Sequence, residues 1–312
     1  MSTETSAVVL LPLTITDSML AAGTTIPSVD AAAGEVAWVA GTAYAVGQRV
    51  NHGGAIWEAV LASTGVTPGT DSTKWLRFGP SNRMAPFDDE FDTRATAAGS
   101  LTYVLRPGFF TGLALWGMQA DHITVHIYDE PGGQIVETYD ADLYEQAAGL
   151  FELLFMPLRQ RTRHYMRNLP LYPDAEVRIT LSAAGGGQVA IGMISIGYWD
   201  TLLGTGDFGG VEYGATADVK SYSYIKRGED GKAKRVRRGS ATNVSCTVVI
   251  DAEEANRAVE LLHQVQGRPV AFIASGLPRY DYLSGFGDMS GSATPQSFVH
   301  AELKINIDGV VQ

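Results

Sequence analysis

Among 312 residues there is one cysteine, Cys246. That scarcity excludes an intramolecular disulfide framework, and without a partner thiol it excludes a cysteine zinc cluster. Val244, Val248 and Ile250 flank Cys246 at alternating positions, the setting of a buried strand thiol rather than a reactive one. Long apolar runs are also missing. The opening MSTETSAVVLLPLTITDSML has no basic leader, and its apolar run from Ala7 to Leu13 is too short for a signal peptide or a membrane span. The chain is therefore expected to be made in a cytosol and to reach any extracellular place by assembly, without membrane insertion. Positive charge is scarce: 23 Lys and Arg face 34 Asp and Glu, a formal net charge of −11. Nucleic-acid binding needs a broad basic face, so it is not expected here.

What is abundant is glycine and apolar side chains. Thirty-five glycines, 45% apolar residues and only 18% charged residues indicate short strands, many turns and ample core material, enough for two or three domains. The expected class is mainly β and multidomain. Residues 1–35, with Pro12, Pro27 and no sustained period, read as an extended N-terminal arm that packs on the domains behind it or on a partner. Residues 36–80 read as a small aromatic-rich β module. Its β-prone runs are Glu35–Val39, Arg49–Asn51, Ala55–Val60 and Trp75–Phe78, and Gly53-Gly54 marks a hairpin turn. A core this small leans on Trp38, Tyr44, Trp57, Trp75 and Phe78 for burial.

Residues 84–203 read as a jelly-roll-like β-sandwich. Strands are expected at Ser100–Leu105, Leu113–Trp116, Ile123–Tyr128, Ile135–Tyr139, Glu176–Leu181 and Gln188–Ile196, with Leu143–Leu158 either loop or short helix. Residues 204–312 read as an α+β domain with one packed helix. Its strands are Val211–Tyr213, Ala217–Ile225, Ala241–Ile250, Val270–Ala274 and Phe298–Ile307. The helix opens at Asp251, carries Ala255, Ala258, Val259, Leu262 and Val265 on its apolar stripe, and stops at Gly267.

No catalytic signature is present: there is no Gly-x-Ser-x-Gly elbow, Walker loop or His-Glu-x-x-His. The Gly204–Gly210 run lacks the strand and helix that a phosphate cradle requires, and reads as a linker. His122 and His126 share one strand face but have no third ligand at a recognisable spacing. Asp88, Asp89, Glu90 and Asp92 form the densest acidic cluster, in a linker without the alternation of a calcium loop. Neither metal nor cofactor is expected, and the chain reads as non-enzymatic. Lys226, Arg227, Lys232, Lys234, Arg235, Arg237 and Arg238 crowd around Glu229-Asp230-Gly231 in a short hairpin. In an acidic chain this local inversion reads either as a docking surface for an acidic neighbouring subunit or as a solvated ribbon that keeps an edge from pairing. Sugar rings stack on aromatic planes, which makes Trp57 and Trp75 glycan-stacking candidates. Trp38 and Tyr44 read first as core, with Tyr44 kept as a third candidate.

The run AWVAGTAYAVGQRVNHGGAIWEAV, closing with KWLRFG, resembles the small chitin-binding modules appended to chitinases. Ala37-Trp38, Gly41-Thr42, Tyr44, Gly47, Val50, Gly54, Trp57-Glu58-Ala59 and Trp75 carry the match. Where those modules commonly continue with adjacent tryptophans, this chain has Val60-Leu61-Ala62. The following Gly79-Pro80-Ser81-Asn82-Arg83 is similar to the Gly-Pro-x-Asn-Arg segment of tailed-bacteriophage virion proteins. The arm and the later regions resemble theirs more loosely. The resemblance implies a galactose-binding-like sandwich, a tail-tip type β domain, and a virion protein of the tail tip or baseplate. Its implied partners are other tail proteins, further copies in a ring or trimer, and host cell-surface polysaccharide. A secreted or surface glycan-binding protein without catalytic activity is the other reading.

Overall fold

A computed structural model describes residues 6–88, 93–144, 149–155, 160–202, 210–227 and 233–310. The chain is mainly β, with a helix at Ala255–Val265 led by a 3-10 turn and a shorter helix at Leu150–Phe155. Its organising element is a ten-stranded sheet. In spatial order this sheet begins with Arg163–Met166, Gly112–Trp116, Met193–Thr201, Val8–Pro12 and Pro269–Ile273. It continues through Ser284–Pro295, His300–Gly309 and Ser240–Asp251 to Gly210–Val211, with Thr216–Ser221 also paired to Ser240–Asp251.

Val8–Pro12, expected to be part of a loose arm, is the strand that joins the two larger regions. It pairs antiparallel with Met193–Thr201 on one side and with Pro269–Ile273 on the other. The sequence explains the placement. Val8-Val9-Leu10-Leu11 is apolar without alternation because both faces are covered: Val9 enters one core and Leu10 another, each fully buried. Gly112–Trp116 and Pro269–Ile273 are buried along their whole length for the same reason. After the strand the arm folds back. Ala21 and Thr25 donate backbone hydrogen bonds to Val104 and Thr102, covering the edge of Ser100–Leu105.

A four-stranded sheet, ordered Ile135–Asp142, His122–Tyr128, Glu176–Ser182 and Ser100–Leu105, packs over one end of the large sheet. Ile123, Val125 and Ile127 point inward and meet Leu113, Leu115, Ile194 and Ile196, which makes the expected sandwich. At the other end, Ala258, Leu261, Leu262 and Val265 of the helix pack over Leu303, Ile305 and Ile307. Leu261 takes an inward place while Val259 lies 37% exposed at the rim, so the apolar stripe is rotated from the one expected.

The large sheet is strongly curled. Trp116 and Phe286 lie on strands four steps apart, which a flat sheet would separate by about 19 Å. Their ring centroids are 5.3 Å apart. The curl is fastened by Arg163, which donates to the Ser284 and Asp281 carbonyls and to Asp281 Oδ2, each at 2.9 Å. Tyr165 adds a short bond to Asp281 Oδ1.

Other boundaries moved for local reasons. Gln188–Ile196 is two strands in different sheets, broken at Gly192, where a side chain would press on the Trp116 carbonyl. Ala217–Ile225 breaks at Tyr222-Ser223. Glu35–Val39 forms only a parallel bridge from Ala37 to Asn51. Ser284–Pro295, glycine-rich and unrecognised in the sequence, is a twelve-residue strand. Cys246 is buried on its strand, and burial pushes its thiol up to about 12.

Candidate functional site

The small module is a three-stranded sheet of Arg49–His52, Ala55–Ala59 and Trp75–Pro80. Gly53 and Gly54, at φ of 62° and 78°, make the tight turn between the first two strands. Of the three aromatic candidates for stacking on sugar, Trp57 and Trp75 lie on these strands and Tyr44 on Ala43–Tyr44, which pairs with Ser63–Thr64; Tyr44 and Trp75 form the module's core and Trp57 packs against it. Trp75 is 1% exposed and its indole Nε1 donates to the Val66 carbonyl at 2.8 Å. Tyr44 packs edge-on against Trp75 at 5.4 Å and is buried, its hydroxyl accepting from Val39 N–H at 2.7 Å. Trp57 is half-buried against this core, with Nε1 donating to the His52 carbonyl. These residues hold the module together, and Trp75 and Tyr44 offer no face to a ligand. Phe78, expected inside, is 54% exposed with the Arg49 guanidinium 3.3 Å over its ring. Phe78 falls at the register shift between this strand and Ala55–Ala59, opposite no residue of that strand.

Phe78 and Arg49 floor an open groove of about 620 Å³ walled by residues 33–36 and the Gly79–Asn82 turn. The walls are tied by a buried polar network. Glu35 accepts from Asp30 N–H at 2.8 Å, from Asn82 N–H at 2.6 Å and from Asn51 Nδ2 at 2.5 Å. Asn82 Nδ2 donates to Asp30 at 2.6 Å and to the Thr96 carbonyl at 3.0 Å, and Asn82 Oδ1 accepts from Thr96 N–H. Arg83 reaches the arm at Asp17 (3.0 Å) and at the Ile26 carbonyl, while Tyr103 donates to the Arg83 carbonyl. The Gly-Pro-Ser-Asn-Arg segment is thus the junction of arm, module and sandwich.

The opposite case is the basic hairpin. Thr216–Ser221 and Ser240–Asp251 run on past the sheet as one antiparallel ribbon through Tyr224–Arg227 and Ala233–Val236. Lys226, Arg227, Lys234, Arg235, Arg237 and Arg238 are all exposed along it. Lys232 lies outside the described residues. Lys226 stands directly opposite Lys234, a like-charge pairing that destabilises an isolated ribbon. No ion pair to these six cations occurs among the described residues. Tyr222, Tyr224 and Ile225 are 40%, 45% and 57% exposed, and Arg238 lies over the Tyr224 ring at 5.1 Å. Exposed tyrosine, isoleucine and arginine side chains have the composition of an interface centre.

The remaining candidates are accounted for locally. His122 sits on the outer sheet face with Nδ1 2.8 Å from Asp142 and Nε2 2.9 Å from Asp140, and these carboxylates, Asp142 first, raise its pKa. His126 lies edge-on to Tyr128. Asp88 accepts from the Thr93 hydroxyl, while Asp89, Glu90 and Asp92 fall outside the described residues. So do residues 204–209 of the Gly204–Gly210 run, while Gly210 pairs with Val249 at the margin of the large sheet. His164, which the sequence did not single out, stacks on Tyr139 at 3.6 Å, and burial, with Arg161 nearby, depresses it to about 4. No helix of the described residues is long and apolar enough to cross a membrane. Comparisons with protein-family models, with curated proteins and with solved structures gave no match.

Proposed function

We propose that this chain is a non-enzymatic structural protein of a tailed-bacteriophage tail tip or baseplate, a scaffold that bridges core tail proteins and host-recognition parts. The observation that carries the reading is the basic ribbon. Residues 226–238 carry seven Lys and Arg against two acids, in a chain whose remainder has a net charge of −16, and the six described cations are exposed. A self-repelling, aromatic-bearing ribbon is a poor device for stabilising its own fold and a good one for gripping an acidic neighbour. The welded sheet and the Asn82 junction suit a part that transmits position between neighbours, and the Gly-Pro-Ser-Asn-Arg resemblance points to the same setting. The glycan-stacking role expected of Tyr44, Trp57 and Trp75 is not carried into this reading. Mass spectrometry of purified particles of a phage encoding the chain tests it. The protein should be present in proportion to other tail proteins, and antibody should label the tail end. Consistent absence from intact particles contradicts the reading.

A further inference from the structure

The ribbon needs an acceptor, and one surface of this chain has the complementary chemistry. Residues 107–158 contain eight Asp and Glu and no Lys or Arg. The strand Ile135–Asp142 lies in this stretch and is the outermost strand of the four-stranded sheet, paired to His122–Tyr128 alone among the described residues. Its opposite counterpart, Ser100–Leu105, is covered by the arm, whereas among the described residues Ile135–Asp142 has no such cover. Glu137, Asp140 and Asp142 are exposed along it, the last two with side chains 58% and 80% accessible. Ile135, 49% exposed, gives the strand an apolar end. Its acids make no ion pair with a Lys or Arg among the described residues; Asp140 and Asp142 meet only His122. An acidic outer strand with an apolar end on one region, and a basic ribbon with Tyr224 and Ile225 on another, are complementary in charge and both carry exposed apolar side chains.

We infer that the ribbon of one copy docks along the Ile135–Asp142 edge of a second copy. The two patches are different surfaces, so the contact is head-to-tail and propagates, closing into a ring when the rotation between copies permits. Lys226, Lys234 and Arg235 face Glu137, Asp140 and Asp142, which relieves the repulsion inside the ribbon and covers an edge that would otherwise invite unspecific pairing. The inference rests on the ribbon's being a docking element, and adds where it docks.

Sedimentation velocity on the full chain tests both levels. The unmodified protein should associate at about 50 mM salt and dissociate at about 500 mM, because exposed charge pairs are screened. Reversing the ribbon (Lys226→Glu, Lys234→Glu, Arg235→Glu) should weaken association at least about tenfold, and reversing the edge (Glu137→Lys, Asp140→Lys, Asp142→Lys) should do the same. Combining both reversals in one chain should restore it. All six positions are exposed, and circular dichroism verifies that each variant folds. If ribbon reversal abolishes association but edge reversal does not, the acceptor lies elsewhere and this inference fails while the ribbon's role stands. If the unmodified chain stays monomeric at every salt concentration, or the double reversal fails to recover association, the copy-to-copy contact is overturned. Particle composition tests the tail-tip reading separately.

Discussion

The Asn82 junction and the basic ribbon spend polar side chains in opposite ways. At the junction, Asp30, Glu35, Asn51 and Asn82 are buried or nearly so, and each side chain has partners within the chain. Three stretches far apart in sequence are fixed by that network. On the ribbon, six described cations are exposed, with Lys226 opposite Lys234 and no acid paired to them among the described residues. Polar groups with internal partners tell how the molecule is held together. Polar groups left without them tell what the molecule is prepared to meet.

The largest effect is expected at the strand that welds the two large regions. Leu10 is fully buried in the curl beside Trp116 and Phe286. Leu10→Ala should cost about 4 kcal/mol, within the range for buried leucines whose neighbours cannot collapse. Because Val8–Pro12 is shared, unfolding followed by near-UV circular dichroism should shift as one transition. Separate transitions for sandwich and C-terminal region would show that the shared strand does not couple them.

Next in size is an acid effect from His164. Its folded-state pKa lies near 4, below the unfolded value of 6.5. As pH falls below 6.5 the unfolded chain takes up a proton that the folded chain refuses, so stability drops between pH 6.5 and 4 and the loss levels off below 4. The loss should be about 2 kcal/mol, allowing for partial exposure of the ring. His164→Phe, which keeps an aromatic ring against Tyr139, should flatten the thermal-stability profile over that window; an unchanged slope would assign the acid sensitivity elsewhere.

At the junction, Asn82→Ala removes the side chain's three hydrogen bonds with Asp30 and Thr96 and leaves their part-buried partner groups unmatched. The expected cost is about 1–2 kcal/mol in urea unfolding. Limited proteolysis should cut first near residues 80–90 in the variant; an unaltered cleavage pattern would argue that the network is not what fixes the module. The smallest effect belongs to the ribbon. Arg235→Ala should change the stability of the isolated chain by less than about 0.5 kcal/mol, as surface positions usually do. A larger loss would mean that the cations serve the fold.

Much of the architecture could be read from local pattern. Ile123, Val125 and Ile127 alternate cleanly because one sheet face is buried and the other is wet, and Gly53-Gly54 announced its turn through backbone freedom. The readings that failed depended on distant partners. Val8–Leu11 carries a continuous apolar run whose meaning, a strand covered on both faces, follows only once Thr201 and Ile273 are known to lie beside it. Ser284–Pro295 is poor in β-branched residues, and its glycines are required by neighbours. At Gly287 a side chain would collide with the Asp308 carbonyl, and at Gly291 it would press on Leu262 of the helix. The basic ribbon was visible as composition. The acidic edge was not, because its charges are spaced through an ordinary strand and only sheet order makes that strand an edge. Trp75 and Tyr44 fill the module's small core and Trp57 lies half-buried against it, a distribution that composition alone does not reveal.

The most direct test of ribbon docking is a disulfide trap between two separately substituted chains, one carrying Lys234→Cys and the other Asp140→Cys. Cys246 is buried with its thiol pushed up to about 12, so it stays silent under mild oxidation. At low salt, mixing the two should give a crosslinked heterodimer on a nonreducing gel, well above the homodimer from either chain alone. No heterodimer, or homodimers in equal yield, would contradict the account.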